Sequence, residues 1–272
     1  MVVQSRTKGR SAILQSYLTF CRIRQRYQST GRLELDADFV FPTTLLPLAV
    51  LAAHCKQPVR AVNPSVQGYA DWIMHADDPL VGDTYVPVVR LPQDPEAYLG
   101  VLEHLEDLSK TTELFSANKQ AYHYLLSELV DNIYEHAQAS HAYVMAQRYP
   151  KKGLIEASFM DDGMTIPKSL ERGSGTSYPS ANAHEAILDA LNGKSAKGGG
   201  ERGFGLQSSV RIVTALGGEV LIVSGRGAVV AGRRRSMLVY SLSSQHELAG
   251  TLVGIRIPDS DKRINFYELI EG

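Results

Sequence analysis

The chain has few cysteines and no long apolar run, and each shortage removes a class of protein. Cys21 and Cys55 are its two cysteines among 272 residues. They lie far apart without CxxC spacing, so neither a disulfide framework nor a structural zinc site is expected, and both are read as reduced and structural. No apolar stretch approaches the roughly 20 residues that span a bilayer, and the N-terminus lacks the apolar core of a signal peptide. A soluble, cytoplasmic protein with no membrane partner is the expectation. Charge of one sign is missing overall, the formal net charge being -1, so bulk electrostatics names no partner.

Acid is missing locally. Arg6, Lys8, Arg10, Arg22, Arg24, Arg26 and Arg32 all precede the first acidic residue, Glu34. Residues 1–32 are therefore read as a basic, solvated leader, with an organelle presequence or a nucleic-acid-contacting arm as the alternatives. The length suits about two domains of 100 to 150 residues.

From Leu33 onward, short β-like and helical runs alternate. LELDADFVF predicts a strand pair, TTLLPLAVLAAHC a helix, VRAVNP a strand, QGYADWIM a helix and TYVPVVRL a strand. This βαβαβ order predicts a small α/β domain over 33–92. In pattern it resembles the anti-sigma-antagonist, or STAS-like, modules, which would make the N-terminal part a fused relative of a signalling partner.

The second domain is expected over 93–272, opening with a helix in QDPEAYLGVLEHLEDLSK. A helix from about Asn118 to Gln138 follows, then strands in HAYVMAQRY and GLIEASFMDDG. A Gly/Ser-rich segment from Glu171 to Gly203 is interrupted by the helical AHEAILDAL. A helix near Leu206 to Leu216 and the strands EVLIVSG, RRRSMLVYSL and GTLVGIRIP close the chain.

Three segments carry chemistry. In AYHYLLSELVDNIYEHA, Leu125, Leu129 and Ile133 form an apolar stripe, while Glu128, Asn132 and His136 recur every four residues on a separate face. A mid-helix Asn is a poor helix former and asks for a reason. Ligation of Mg²⁺, which prefers hard oxygens shared with phosphate, supplies one. Asp161-Asp162-Gly163-Met164-Thr165-Ile166 follows an apolar strand. A carboxylate there can accept a hydrogen bond from an exocyclic amine, while Gly163 allows close approach of a flat base. Read alone, it is equally a common Asp-Gly turn. Gly198-Gly199-Gly200-Glu201-Arg202-Gly203-Phe204-Gly205-Leu206 opens a helix whose N–H groups can face a phosphate, unless the glycines are only a linker.

Rival motifs fail on spacing. Asn192-Gly193-Lys194-Ser195 imitates the end of a P-loop, but Leu188 occupies the position of its first glycine. Ser208 replaces the third glycine of a dinucleotide fingerprint, and His184-Glu185 lacks the second histidine of a zinc-protease helix. Arg233, Arg234 and Arg235 are read as a solvated hairpin turn; with the leader, they leave nucleic acid open as a partner.

Together and in this order, ELVDNIYEHA, DDGMTIP and ERGFGL resemble the N, G1 and G2 boxes of the GHKL ATPases, the superfamily of gyrase, histidine kinases and MutL. GKSAKGGGERGFGL is similar to the lids of citrate-sensor-type kinases and MutL, and GTLVGIRIP to the terminal Gly-Thr strand; the likeness runs from about Asn118 to Pro258. It implies a Bergerat-type α/β sandwich, a mixed sheet covered by helices, and ATP with Mg²⁺ as cofactors. Residue by residue, it implies Asn132 as Mg²⁺ ligand and Glu128 as the residue that positions or deprotonates water. Asp161 would read adenine beside Thr251. Gly163, Thr165 and Ile166 would sit around the base; Thr165 stands where the G1 box has its second glycine. Gly203, Phe204, Gly205, Leu206 and Lys197 would hold phosphates, with His136 as a further contact.

The resemblance further implies a Mg-ATP-binding regulatory protein, a protein kinase or an ATP-driven switch in signalling, with a protein partner or substrate. The alternatives are a MutL- or gyrase-like ATPase that homodimerises on ATP, and a non-catalytic nucleotide sensor. An ordinary sensor kinase is disfavoured, because Leu105 follows His104 where an acid belongs.

Overall fold

The protein is described from a computed structural model, covering residues 11–74, 83–92, 94, 98–194, 205–232 and 237–271.

Its backbone is a seven-stranded sheet in the order β3-β4-β5-β9-β6-β7-β8. The strands are β3 (Tyr85–Arg90), β4 (Ala142–Tyr149), β5 (Leu154–Asp161), β6 (Glu219–Gly225), β7 (Gly227–Ala231), β8 (Met237–Ser241) and β9 (Leu248–Pro258). Every ladder in it is antiparallel. Parallel pairing is confined to a separate two-stranded sheet, β1 (Leu33–Leu35) with β2 (Val59–Ala61).

Strand alternation divides the sheet into two dry faces. On the front, Ile155, Ala157 and Phe159 of β5 pack with Leu125, Leu129 and Ile133, as the predicted apolar stripe requires. The front helices are α4 (Leu99–Asp107), α5 (Glu113–Asn132), α6 (Ile166–Ser174), α7 (Ala183–Leu191), α8 (Gly205–Ala215) and α9 (Phe266–Glu271). On the back, Met160, Leu221, Val223 and Leu252 meet α1 (Ala12–Thr30), α2 (Pro42–Cys55) and α3 (Pro64–Met74). This helix-covered α/β architecture fits the Bergerat-type sandwich, with an antiparallel sheet in place of the expected mixed one.

Several expectations change. Residues 12–30 form a packed helix instead of a solvated leader, because Ile13, Leu14, Tyr17, Phe20 and Cys21 recur at helical spacing and are buried, while Arg22 and Arg26 face outward. Gly31 ends it in a left-handed conformation, φ 68°, its N–H bonded to the Tyr27 carbonyl. LELDADFVF yields one three-residue strand, not a pair. The βαβαβ order β1-α2-β2-α3-β3 is present in sequence, but β3 leaves the small sheet and pairs with β4. The N-terminal segment thus shares its core with the large sheet, where Tyr17 and Leu45 pack in one cluster with Met145 and Leu252. Both cysteines are free, Cys21 buried and Cys55 half-buried. No helix among the described residues is long and apolar enough to cross a membrane.

The back face is joined by charge as well as by oil. Glu156 of β5 is fully buried. Its Oε1 accepts from the Thr43 amide at 3.0 Å and the Thr43 hydroxyl at 2.6 Å, so it caps the first turn of α2. Its Oε2 takes Arg256 Nε at 2.7 Å and Nη2 at 2.6 Å. The Phe41 ring lies over that guanidinium at 4.1 Å.

Candidate functional site

A cleft open to solvent lies between α5, α6, α7 and the ends of β5 and β9. Its walls are Leu129, Ile133, Phe159, Leu170 and Val253. Its polar groups include Asn132, His136, Asp161, Lys194 and Thr251. An apolar slot with a few convergent polar groups suits a flat organic ligand.

The helix that supplies Asn132 begins at Thr112, whose hydroxyl accepts from the Phe115 amide at 3.2 Å. Asn118, the expected start, sits instead at an internal kink with φ −140° and ψ 33°. There its side chain bonds the carbonyls of Leu114 and Lys262 and the amide of Ile264. After Asn132 the helix widens into one π turn, Ile133–Ala137, closed by Gln138 at φ 48°. Such wide turns are frequent at functional sites. Here the turn presents the Ala137 carbonyl to the Met164 amide at 2.6 Å, tying the helix end to the loop after β5. A methyl group at Gly163 would run into the same carbonyl, so the loop needs a glycine there.

The two adjacent aspartates are set oppositely. Asp162 is about two-fifths exposed. Partial burial works to raise its pKa, but the amides of His141 and Ser140 and the His141 ring outweigh it and hold the carboxyl below its ordinary range. Asp161 is 4% exposed and accepts from the amides of Gly163 and Thr251. Burial dominates there and pushes its pKa up to about 7. A buried carboxyl of this kind in a cleft is a candidate functional position.

Facing Asp161 across the ladder is Thr251. Gly250 before it has φ +87°, and a side chain there would strike the Asp161 carbonyl. Behind both sits Ser224, fully buried, bonded to Ile166, Gly250 and Thr251.

Beside the cleft, Glu128 touches the start of α8: a methyl on Gly205 would overlap the Glu128 carboxylate. Burial raises the Glu128 pKa, and the nearby Asp131 and Glu135 carboxylates add to the rise while a Tyr124 hydrogen bond opposes it. Asn132 Nδ2 bonds the Glu128 carbonyl at 2.5 Å, so Oδ1 is the Asn132 atom left for a cation or ligand.

The fold thus gathers Asn132, His136, Asp161, Ile166, Leu206 and Thr251 around one cleft. Glu128 and Gly205 meet beside it, and Gly163 supports its floor. Thr165 does not line the cleft; it precedes α6 with φ −66° and ψ 152°, ordinary extended backbone that needs no glycine. Lys197, Gly203, Phe204 and Arg233 to Arg235 lie outside the described residues.

Sequence reasoning passed over Lys194, Met164 and Ser169, which line the cleft, and Ser224 behind it. Lys194 appeared in a false P-loop and in the lid-like segment GKSAKGGGERGFGL, in neither case with a role of its own. Its ammonium reaches Tyr178 at 2.9 Å, Asp189 at 3.1 Å and Thr176 at 3.2 Å. A strand-end serine such as Ser224 carries no motif at all.

The family model for the histidine kinase-, DNA gyrase B- and HSP90-like ATPases matches residues 117–260, more than half of the chain. No curated protein matches the sequence.

Proposed function

Because the chain belongs to the histidine kinase-, DNA gyrase B- and HSP90-like ATPase family, we propose that it is a Mg-ATP-binding regulatory protein, an ATP-driven switch or protein kinase in signalling. Its GHKL-type domain implies ATP binding. The observation that supports the detailed reading is the polarity of the cleft: buried Asp161 at one end, and Asn132, Glu128 and the start of α8 at the other.

In this reading the Asp161 carboxylate takes the 6-amino group of adenine, and Ile133, Phe159 and Val253 sandwich the ring. The N-terminus of α8, which begins at Gly205, presents its first-turn amides to the phosphates. The donor set fits magnesium, since the Asn132 carbonyl is a hard oxygen ligand. Among the described residues no group of three or more His, Cys, Asp or Glu could hold a metal alone, so the ion would be shared with phosphate oxygens. When bound, Mg²⁺ would neutralise charge on the polyphosphate. Glu128 is the general base in this reading: its carboxyl lies against the start of α8, and burial raises its pKa above the ordinary carboxylate value. Switching is supported by β5 and β9, which carry Asp161 and Thr251 at the cleft and Glu156 and Arg256 under α2.

The test uses γ-labelled ATP with Mg²⁺, wild type against Asn132→Ala and Glu128→Gln, following label on protein and free phosphate. Label on the chain or on an added protein identifies a kinase, and free phosphate alone identifies an ATPase. Glu128→Gln should lower turnover at least 100-fold with ATP affinity retained. ATP at 100 times its Kd should stabilise the fold by about 2.7 kcal/mol. Absence of both turnover and any ATP-dependent shift in Tm would refute the reading.

A further inference from the structure

Ser224 offers one hydroxyl proton and two lone pairs to three partners. The Ile166 amide donates to its Oγ at 2.8 Å. The carbonyl of Gly250 lies 3.2 Å away, and Thr251 Oγ1 lies at 3.0 Å. One arrangement satisfies all three: Ser224 accepts from Ile166, gives its proton to Gly250, and accepts the proton of Thr251. The reverse, with Ser224 donating to Thr251, would deprive the buried Gly250 carbonyl of this bond, which is costly inside a protein. Thr251 therefore turns its proton inward and shows only lone pairs to the cleft it lines.

We propose that Ser224 is a positioning residue that sets purine discrimination, by holding the Thr251 hydroxyl as an acceptor toward the 6-position of the base. The proposal rests on the adenine reading above. A 6-amino group donates and fits both Asp161 and Thr251. A 6-oxo base can still offer its N1–H to Asp161, but its oxygen then confronts the lone pairs of Thr251. Replacing Ser224 by alanine removes the acceptor that captures the Thr251 proton, which becomes free to turn and donate to a 6-oxo group.

The experiment measures Kd for ATP and for inosine triphosphate, which differs only at the 6-position and N1, by calorimetry on the full chain. Wild type should prefer ATP. Ser224→Ala should cut the preference about tenfold, the equivalent of one neutral hydrogen bond, with much of the change appearing as tighter inosine triphosphate binding. In a Thr251→Val background the same substitution should leave the ratio unchanged. Ser224→Cys, a weaker acceptor in similar space, should give an intermediate ratio and serves if the alanine variant does not fold. A merely structural role would weaken both nucleotides equally and leave the ratio alone; that result, or an equal ratio change in the Thr251→Val background, overturns the proposal. Wild type that binds ATP with a ratio insensitive to Ser224 defeats this role only, whereas wild type that binds no ATP removes the adenine reading with it.

Discussion

β5 buries a carboxylate on each face, and the two are treated differently. Glu156 on the back is pushed up by burial, and the protein answers it with Arg256 and with the hydroxyl and amide of Thr43. Asp161 on the front is pushed up by burial too, but among the described residues its hydrogen bonds come from the amides of Gly163 and Thr251. The first is closed off beneath α2 and holds structure together. The second is left with acceptor capacity facing a cleft. The difference shows how one strand can serve packing and recognition at once: the pleat separates the two carboxylates onto opposite faces, and the completeness of each one's partners decides its use.

The comparison is most easily broken at the back. Arg256→Met should destabilise the protein by about 3 to 5 kcal/mol, because it strands a buried Glu156 charge. The double change Glu156→Met with Arg256→Met should recover much of that loss in urea unfolding. If the single change is silent, the back-face pair is not holding the helices.

At the front the expected signs are opposite for stability and for binding. Asp161→Asn should weaken ATP about 100-fold, roughly 2.7 kcal/mol, yet raise the unfolding midpoint of the free protein above pH 7. The folded pKa of about 7 stands above the ordinary 3.8. The free protein therefore gains from this group fully below pH 3.8 and loses that gain as pH rises through 7. The asparagine variant does not suffer the loss. Denaturation of both forms between pH 5 and 8 (roughly the range where this titration completes) should show their stabilities diverging with rising pH, and parallel curves would contradict the assignment.

Smaller effects should separate docking from binding. Tyr17 donates to the His246 carbonyl at 2.7 Å, tying α1 to the loop before β9. Tyr17→Phe should lower stability by about 1 kcal/mol without altering the ATP-to-inosine triphosphate ratio. Thr112→Ala should remove the cap of α5 for about 1 kcal/mol, measured by urea titration. A change in the nucleotide ratio from either would show that the two faces are coupled more tightly than their separate networks imply.

Much of the cleft was legible because its residues carry local signals. Asn132 stands out in a helix, Asp161-Asp162-Gly163 stands at a strand end, and Gly205-Leu206 begins a helix after glycines. The misreadings fall where local signals conflict or vanish. The arginines before Glu34 suggested a leader, although Ile13, Leu14, Tyr17 and Phe20 already made a helical stripe. β7, α6 and α9 were passed over: GAVVA has small residues and no polar alternation to announce a strand, and the Gly/Ser-rich stretch obscured Ile166–Ser174.

What the sequence determined by itself was periodicity and local chemistry: the apolar stripe of α5, the 3.6- and two-residue repeats, and the glycines where backbone must pass close. Those follow from neighbours along the chain. Tertiary structure alone decided that β3 joins the large sheet, that α1 and α2 seal its back over Glu156 and Arg256, and that Ser224 meets the Thr251 hydroxyl. Each depends on atoms from segments distant in sequence, brought together by sheet register and burial, and no local pattern encodes such a meeting.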